Sequence, residues 1–533
     1  MIHSCIVLAL TLAAPLVAAN PPSPAASPAA KPAARKLSPS ARAWWSHVQT
    51  LAADSMRGRE TGGAGYRKSA DYVAREFARW GAKPGGRAGY FQPVHFVSRR
   101  VDESRSSLEL VRGARRVPLV LGRDATLGMG IDPAPSLEAP LVFAGYGISI
   151  PEEGYDDLKF LDLKGKIAVC IQGGPSSLPG PLRAHAQSTK ERWARLRAAG
   201  AIGLVIIPNP KHMDVPWERA RLARLLPSMT LADSRLDQTP GQKFSARINP
   251  ASAEKLFDGS GHTFQQMLAV ADRGKQLPRF KLAWSLRARV GHTRTTVESP
   301  NVIGILPGSD PQLRHEFVVL SAHLDHLGVG APIRGDSIYN GAMDNASGIA
   351  SLIEIARLAH ESGRQPRRSI VLLAVTGEEK GLQGSRFFAA YPTVPGPDIV
   401  ANLNLDMFLP LVPMRALTVY GLEESDLGDW ATTVAARHKV KVLPDAEPQR
   451  NIFIRSDQYN FIRNGVPALA FKIAPTGGAA EVQLYRDWIR ERYHAPSDDL
   501  AQPVDADAGA RFTRLLYDLC ADAANRDQRP SWK

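Results

Sequence analysis

The run SIVLLAVTGEEKG, residues 369–381, decides the fold. From Ser369 to Val375 the side chains are nearly all apolar and often β-branched, a length and composition that suit a strand covered on both faces. Glu378 and Glu379 follow, bracketed by Gly377 and Gly381. Neighbouring side chains of a strand point to opposite faces, so two adjacent carboxylates can share one pocket only where the chain has begun to turn. The glycines supply that turn. Two such carboxylates repel unless a cation or a proton lies between them, although a solvated turn is the competing reading.

Similar runs keep the same rhythm on either side. Phe317 to Ser321, Val400 to Leu405, Leu417 to Tyr420 and Ala468 to Phe471 read as strands, and amphipathic segments lie between them, the clearest being Ile349 to His360. This alternation predicts an α/β architecture, a mostly parallel mixed sheet with helices on both faces. Ligands of such sheets bind beyond the carboxyl ends of the strands. There the sequence holds HLDHLG (323–328), YNGAMDNASG (339–348), NLNLDM (402–407) and, further on, RYHAPSDD (492–499). His323 and Asp406 end strands, and Asp325 can orient the His323 imidazole. His326 reads as structural. Asp344 opens a helix that Asn345 and Ser347 can cap, a position that favours its charge even without a metal. Singly each residue is ordinary; two His and four carboxylates, nearly all at strand ends of one sheet, are not.

The set HLDHLG, NGAMDNASG, TGEEKG, NLDM and YHAPSDD resembles the dizinc exopeptidase family that includes bacterial leucyl aminopeptidases and glutamate carboxypeptidase. The likeness is loose over Ser40 to Gly86 and good from Pro300 onward. It implies the zinc exopeptidase fold and two zinc ions as cofactors. His323 and Asp406 would bind one, Glu379 and His494 the other, and Asp344 both, with a cis peptide between Asp344 and Asn345. Glu378 would be the general base, with Asp325 behind His323 and Asp498 behind His494. Tyr459 and Arg455, in FIRSDQYNF (453–461), are the candidates for contacting the substrate carbonyl. The activity implied is that of an aminopeptidase, releasing N-terminal residues from peptides by a two-metal, Glu-assisted attack of water. A carboxypeptidase or a glutaminyl-cyclase-like enzyme of the same fold is the alternative, since Arg334, Arg455 and Arg463 could receive a substrate carboxylate. A binding module without activity is the non-enzyme alternative; it is disfavoured because no ligand and no base is missing.

The rest of the 533 residues organises around this part, and the length itself calls for more than one core. Residues 1–19 read as a signal peptide, an apolar stretch ending in Val17-Ala18-Ala19, which predicts export to the periplasm or the exterior. That stretch is shorter than the roughly 20 residues a membrane span needs, so no stable membrane insertion is expected. Residues 20–39 form a Pro/Ala-rich linker and 40–97 the first part of the peptidase domain. Residues 98–295 form a β-rich insert and 296–525 the main part of the peptidase domain. Within the insert GYGISI (145–150), LKGKIAVCIQGG (163–174) and RAAGAIGLVII (197–207) resemble the protease-associated domain often inserted in secreted peptidases. Beyond the signal only Cys170 and Cys520 remain, with no Cys-x-x-Cys, so a metal must be held by nitrogen and oxygen. The formal charge of +14 is scattered in single residues and pairs such as Arg115-Arg116, which argues against a nucleic-acid partner. Oligomeric state is left open.

Overall fold

Ser369–Val375 is a strand buried along its whole length, and the apolar runs around it are its neighbours. The structure, a computed structural model, describes residues 36–450 and 452–533; the expected signal peptide and all but the end of the linker lie outside the described residues. Phe317–His323 runs parallel to Ser369–Val375 on one side and to Ile399–Asn404 on the other, and Ala468–Ile473 runs parallel to Ile399–Asn404. Ala416–Tyr420 then pairs antiparallel with Ala468–Ile473, and Phe280–Leu306 antiparallel with Ser369–Val375, so the sheet is mixed with a parallel centre. The register aligns one edge: His323 pairs with Val375, Ser321 with Asn404, and Asn404 with Ala470. The turns and loops at the carboxyl ends of these strands therefore emerge at one level.

Helices cover both faces. The period-2 alternation of the strands sends Val319, Val371 and Leu373 to a core shared with Phe388 and Phe461, which come from the helices Gln383–Ala390 and Gln458–Ile462. The opposite face meets Ser347–Ser362 and Ala506–Asn525, against which Pro39–Leu51 packs. Trp44 of Pro39–Leu51 is fully buried, and its indole nitrogen donates to the Ser351 hydroxyl at 3.1 Å. Asn345 caps Ser347–Ser362 by accepting from the Gly348 amide at 3.0 Å.

The chain enters and leaves its β-rich part through one ribbon. Phe91–Arg112 and Phe280–Leu306 pair antiparallel from Phe91 with Val302 to Val111 with Ser285, crossing both expected junctions near 98 and 295. Beyond the ribbon Ser136–Phe143, Ile167–Ile171, Gly203–Ile207 and Phe244–Ile248 continue the sheet and enclose a second core that includes Phe143, Phe257 and Trp284. Residues 38–533 form a single compact unit. Cys170 and Cys520 are both free and buried.

Candidate active site

At the aligned strand edge the side chains converge. His323 ends its strand, and its Nε2 lies 3.2 Å from Asp344 Oδ1 and 3.3 Å from Asp406 Oδ1. Asp406 stands two residues beyond Asn404, just past the end of the neighbouring strand. His494 forms a second triangle, with Nε2 3.3 Å from Asp344 Oδ2 and 3.2 Å from Glu379 Oε2. The Asp344–Asn345 peptide is cis. Glu379 rides the turn after Ser369–Val375, where Gly377 and Gly381 take positive φ of 65° and 96° as the sequence required.

These distances allow a test for metal binding. A tetrahedral ion with arms of about 2.0 Å to nitrogen and oxygen demands ligand atoms about 3.3 Å apart, and the His-to-carboxylate edges of both sets have that length; His323, Asp344 and Asp406 also gather their ligand atoms within 4.8 Å of one another, as His326, Asp344 and Glu379 do on the other side. Asp344 Oδ2 is buried with no hydrogen bond, a state that costs about 1–3 kcal/mol unless something cationic answers it. Burial would push the Asp344 carboxyl up, yet the imidazoles of His326, His323 and His494 hold it well below the usual carboxylate range. Burial pushes Glu378 the other way, well above that range, with the charges of Asp406 and Glu379 adding to the effect against the pull of His323. The donor set, nitrogen and carboxylate oxygen with no sulfur, suits an ion such as zinc.

Behind the triangles lie contacts that differ from the sequence expectation. Asp325 does not hold the His323 ring through its side chain. The His323 Nδ1 faces the Asp325 backbone carbonyl at 2.9 Å, and the Asp325 carboxylate accepts instead from the amides of Glu378 and Glu379 at 3.1 and 3.3 Å and from the Thr61 hydroxyl. Asp498 likewise does not reach His494: it accepts from the amides of Met343 and Asp344 at 2.9 and 3.0 Å and from the Gln502 amide. Both corrections share a cause: a backbone amide with no helix or ladder partner must still find an acceptor when buried. His326, expected to be structural, lies in the site. Its Nδ1 is 2.7 Å from Glu379 Oε1, a hydrogen-bond length rather than a ligand-to-ligand edge, and so it orients Glu379 from behind.

A cleft opens over these groups, lined by Asp344, Glu378, Asp406 and His494 and walled by Tyr493 and Arg455. Of the two candidates for the substrate carbonyl, Arg455 faces this cleft, bound to Asp214, with Nη2 3.4 Å from the Tyr493 hydroxyl. Tyr459 does not line it. The short helix Gln458–Ile462 turns Tyr459 aside, and its hydroxyl meets His185 Nδ1 at 2.9 Å. Tyr493 was overlooked, although an aromatic directly before His494 in RYHAPSDD was its signal. Arg59 was overlooked too. Its fully buried guanidinium donates to the carbonyls of Leu51, Leu324, Asn340 and Gly341, tying together the loops that carry His326 and Asp344.

Residues 301–520 match the model of the family described as "Peptidase family M28". A "Probable zinc metalloprotease" of Pyricularia oryzae is 39% identical over 112 residues, 21% of this chain and 21% of that protein. A "Vacuolar membrane protease" of Tuber melanosporum is 31% identical over 111 residues, 20% of this chain and 10% of that protein. The chain thus spans between a tenth and about a fifth of the length of these curated relatives. Among solved structures, "Aminopeptidase from Aneurinibacillus sp. strain AM-1" superposes with a TM-score of 0.56 over 92% of this chain and 95% of that one, at 18% identity, a likeness of fold. Both sets of His and carboxylate lie inside residues 301–520, the segment that is similar to peptidase family M28.

Proposed function

We propose that the protein is a zinc-dependent exopeptidase, an aminopeptidase that releases residues from the free amino end of peptides, working with two ions. His323 and Asp406 would hold one ion and Glu379 and His494 the other, with Asp344 between them. The observation that carries this reading is the division of the Asp344 carboxylate, Oδ1 in one triangle and Oδ2 in the other. When bound, such a pair of ions makes water a nucleophile near neutral pH and polarises the scissile carbonyl.

The chain's own groups supply the rest. Glu378 lines the cleft, belongs to neither triangle, and is held near its proton, which suits a group that takes a proton from the attacking water and passes it to the departing amine. The Tyr493 hydroxyl, beside Arg455, would donate to the carbonyl oxygen as charge develops there. We read residues 98–295 as an insert that shapes the cleft, because its Asp214 binds Arg450 and Arg455 of the wall. Export to the periplasm or exterior is part of the same proposal; among the described residues no helix is long and apolar enough to cross a membrane.

A panel of aminoacyl anilides with free or acetylated amines, run with N-blocked dipeptides, tests the reading. Expected is cleavage of free-amine substrates alone, abolished by chelation and restored by zinc. Cleavage confined to N-blocked dipeptides would favour the carboxypeptidase alternative, and full activity after exhaustive chelation would overturn the metal assignment.

A further inference from the structure

The strand Ala468–Ile473, ALAFKI, contains one charged residue, Lys472. Asn404 pairs with Ala470 in the parallel ladder, so Lys472, two residues on, reaches the level of Asp406, two residues beyond Asn404. It lines the same cleft as Glu378 and Asp344. Asp214 and Asp406 are the anions around it, and Arg450 and Arg455 are cations beside it. Neither anion is free for Lys472. Asp214 is engaged by Arg450 at 2.8 Å and by Arg455 at 2.5 Å, and Asp406 belongs to the first triangle. Among the described residues no carboxylate lies within ion-pairing distance of the Lys472 ammonium, so it is no counter-ion of the fold. A desolvated ammonium without an anion is costly, and burial draws its pKa down to about 8. Ile452, Phe471 and Ile489 continue the wall as an apolar surface.

We propose that Lys472, flanked by Arg450 and Arg455, is an anion subsite that receives a carboxylate of the peptide substrate. The inference rests on the exopeptidase reading and names the substrate class of that site. Three sources share this chemistry: the side chain of an acidic first residue, that of an acidic second residue, and the terminal carboxylate of a dipeptide.

The test uses the zinc-loaded full chain and substrate pairs that differ by one carboxylate: Glu against Gln anilide, Leu-Glu-amide against Leu-Gln-amide, and Leu-Gly against Leu-Gly-amide. One pair should show a preference in kcat/KM of about tenfold or more for the carboxylate, the size expected of a hydrogen bond to a charged group. That pair identifies the source. In Lys472→Met the preference should collapse toward unity, chiefly through KM; Lys472→Arg should keep part of it and Lys472→Glu reverse it. Equal rates within every pair in the native chain, or a preference that survives Lys472→Met, would overturn the proposal. Should Lys472→Met fail to fold, the native pairs and Lys472→Arg still decide. If free-amine substrates resist and only acetylated dipeptides are cut, the aminopeptidase reading fails. The same comparison on acetyl-Leu-Gly and its amide then decides the role of Lys472 separately.

Discussion

The two triangles that meet at Asp344 are built differently. His323 and Asp406 stand at the ends of adjacent, hydrogen-bonded strands, so their separation is a consequence of sheet register. Glu379 and His494 stand on a turn and a loop; the His494 side chain is 29% exposed, against 1% for His323, and its backbone takes φ 55°, which few residues other than glycine adopt. The first triangle is a product of the ladder. The second depends on contacts made for it: His326 behind Glu379, and Asp325 beneath the amides of the Glu378–Glu379 turn. One site is therefore stiff by topology and the other by hydrogen bonding, so a substitution behind Glu379 loosens the second and leaves the first in place.

Glu378→Gln touches neither triangle and removes only the side chain proposed as base. Turnover should fall by about 10²- to 10⁴-fold, since the proposed proton acceptor is lost. Metal content should stay equal to that of the native chain, measured by elemental analysis after dialysis. Near-normal turnover would remove Glu378 from its role, and loss of an equivalent would mean that it is a ligand.

If two ions bind as proposed, a graded chelator titration should strip them in sequence, the His494 side first. His326→Phe, which keeps the ring and loses the donor, should weaken that ion by about 10- to 100-fold and leave the tighter one unchanged. If both equivalents weaken together, the supposed independence of the first triangle is broken.

The smallest effect concerns the backbone clamps. Asp498→Asn would set an amide donor against the Met343 and Asp344 amides, and a buried mismatch of this kind costs about 1–3 kcal/mol. Denaturant unfolding of the metal-free protein reads this loss directly. Asp325→Asn should cost a similar amount, because it clamps the Glu378–Glu379 turn in the same way. No change in either variant would show that the amides find other acceptors.

His323, Asp406 and the Glu378–Glu379 pair were legible because each sits at a chemically marked end of an apolar run, and strand ends of one parallel sheet must gather at one edge; Asp344, at a helix entry, and His494, on a loop, were legible through the motifs around them. The partners behind them were not. Whether Asp325 grips a ring or a pair of amides depends on the path of a turn some fifty residues away in sequence, which no local pattern records. Tyr459 was misread because five helical residues, Gln458–Ile462, swing it toward His185 while Arg455, just before them, still faces the cleft. Lys472 was visible in principle as a lone charge within an apolar strand, but only the ladder register shows that it stands level with Asp406. The ribbon's continuity across both expected junctions was hidden because Phe91–Arg112 carries many polar side chains on a strand far longer than usual.

That ribbon has a mechanical consequence. Two strands pair with one another from Phe91 to Asp102 and again from Ser107 to Val111, with a single irregularity between, opposite Arg289 to Gly291, and the grip of Asp214 on Arg450 and Arg455 adds a second tie to the β-rich part. A body fastened at two places behaves as a gauge of fixed opening rather than as a jaw. On the proposed reading, the width of the gap is then set when the chain folds, and the cleft would admit a substrate by its girth.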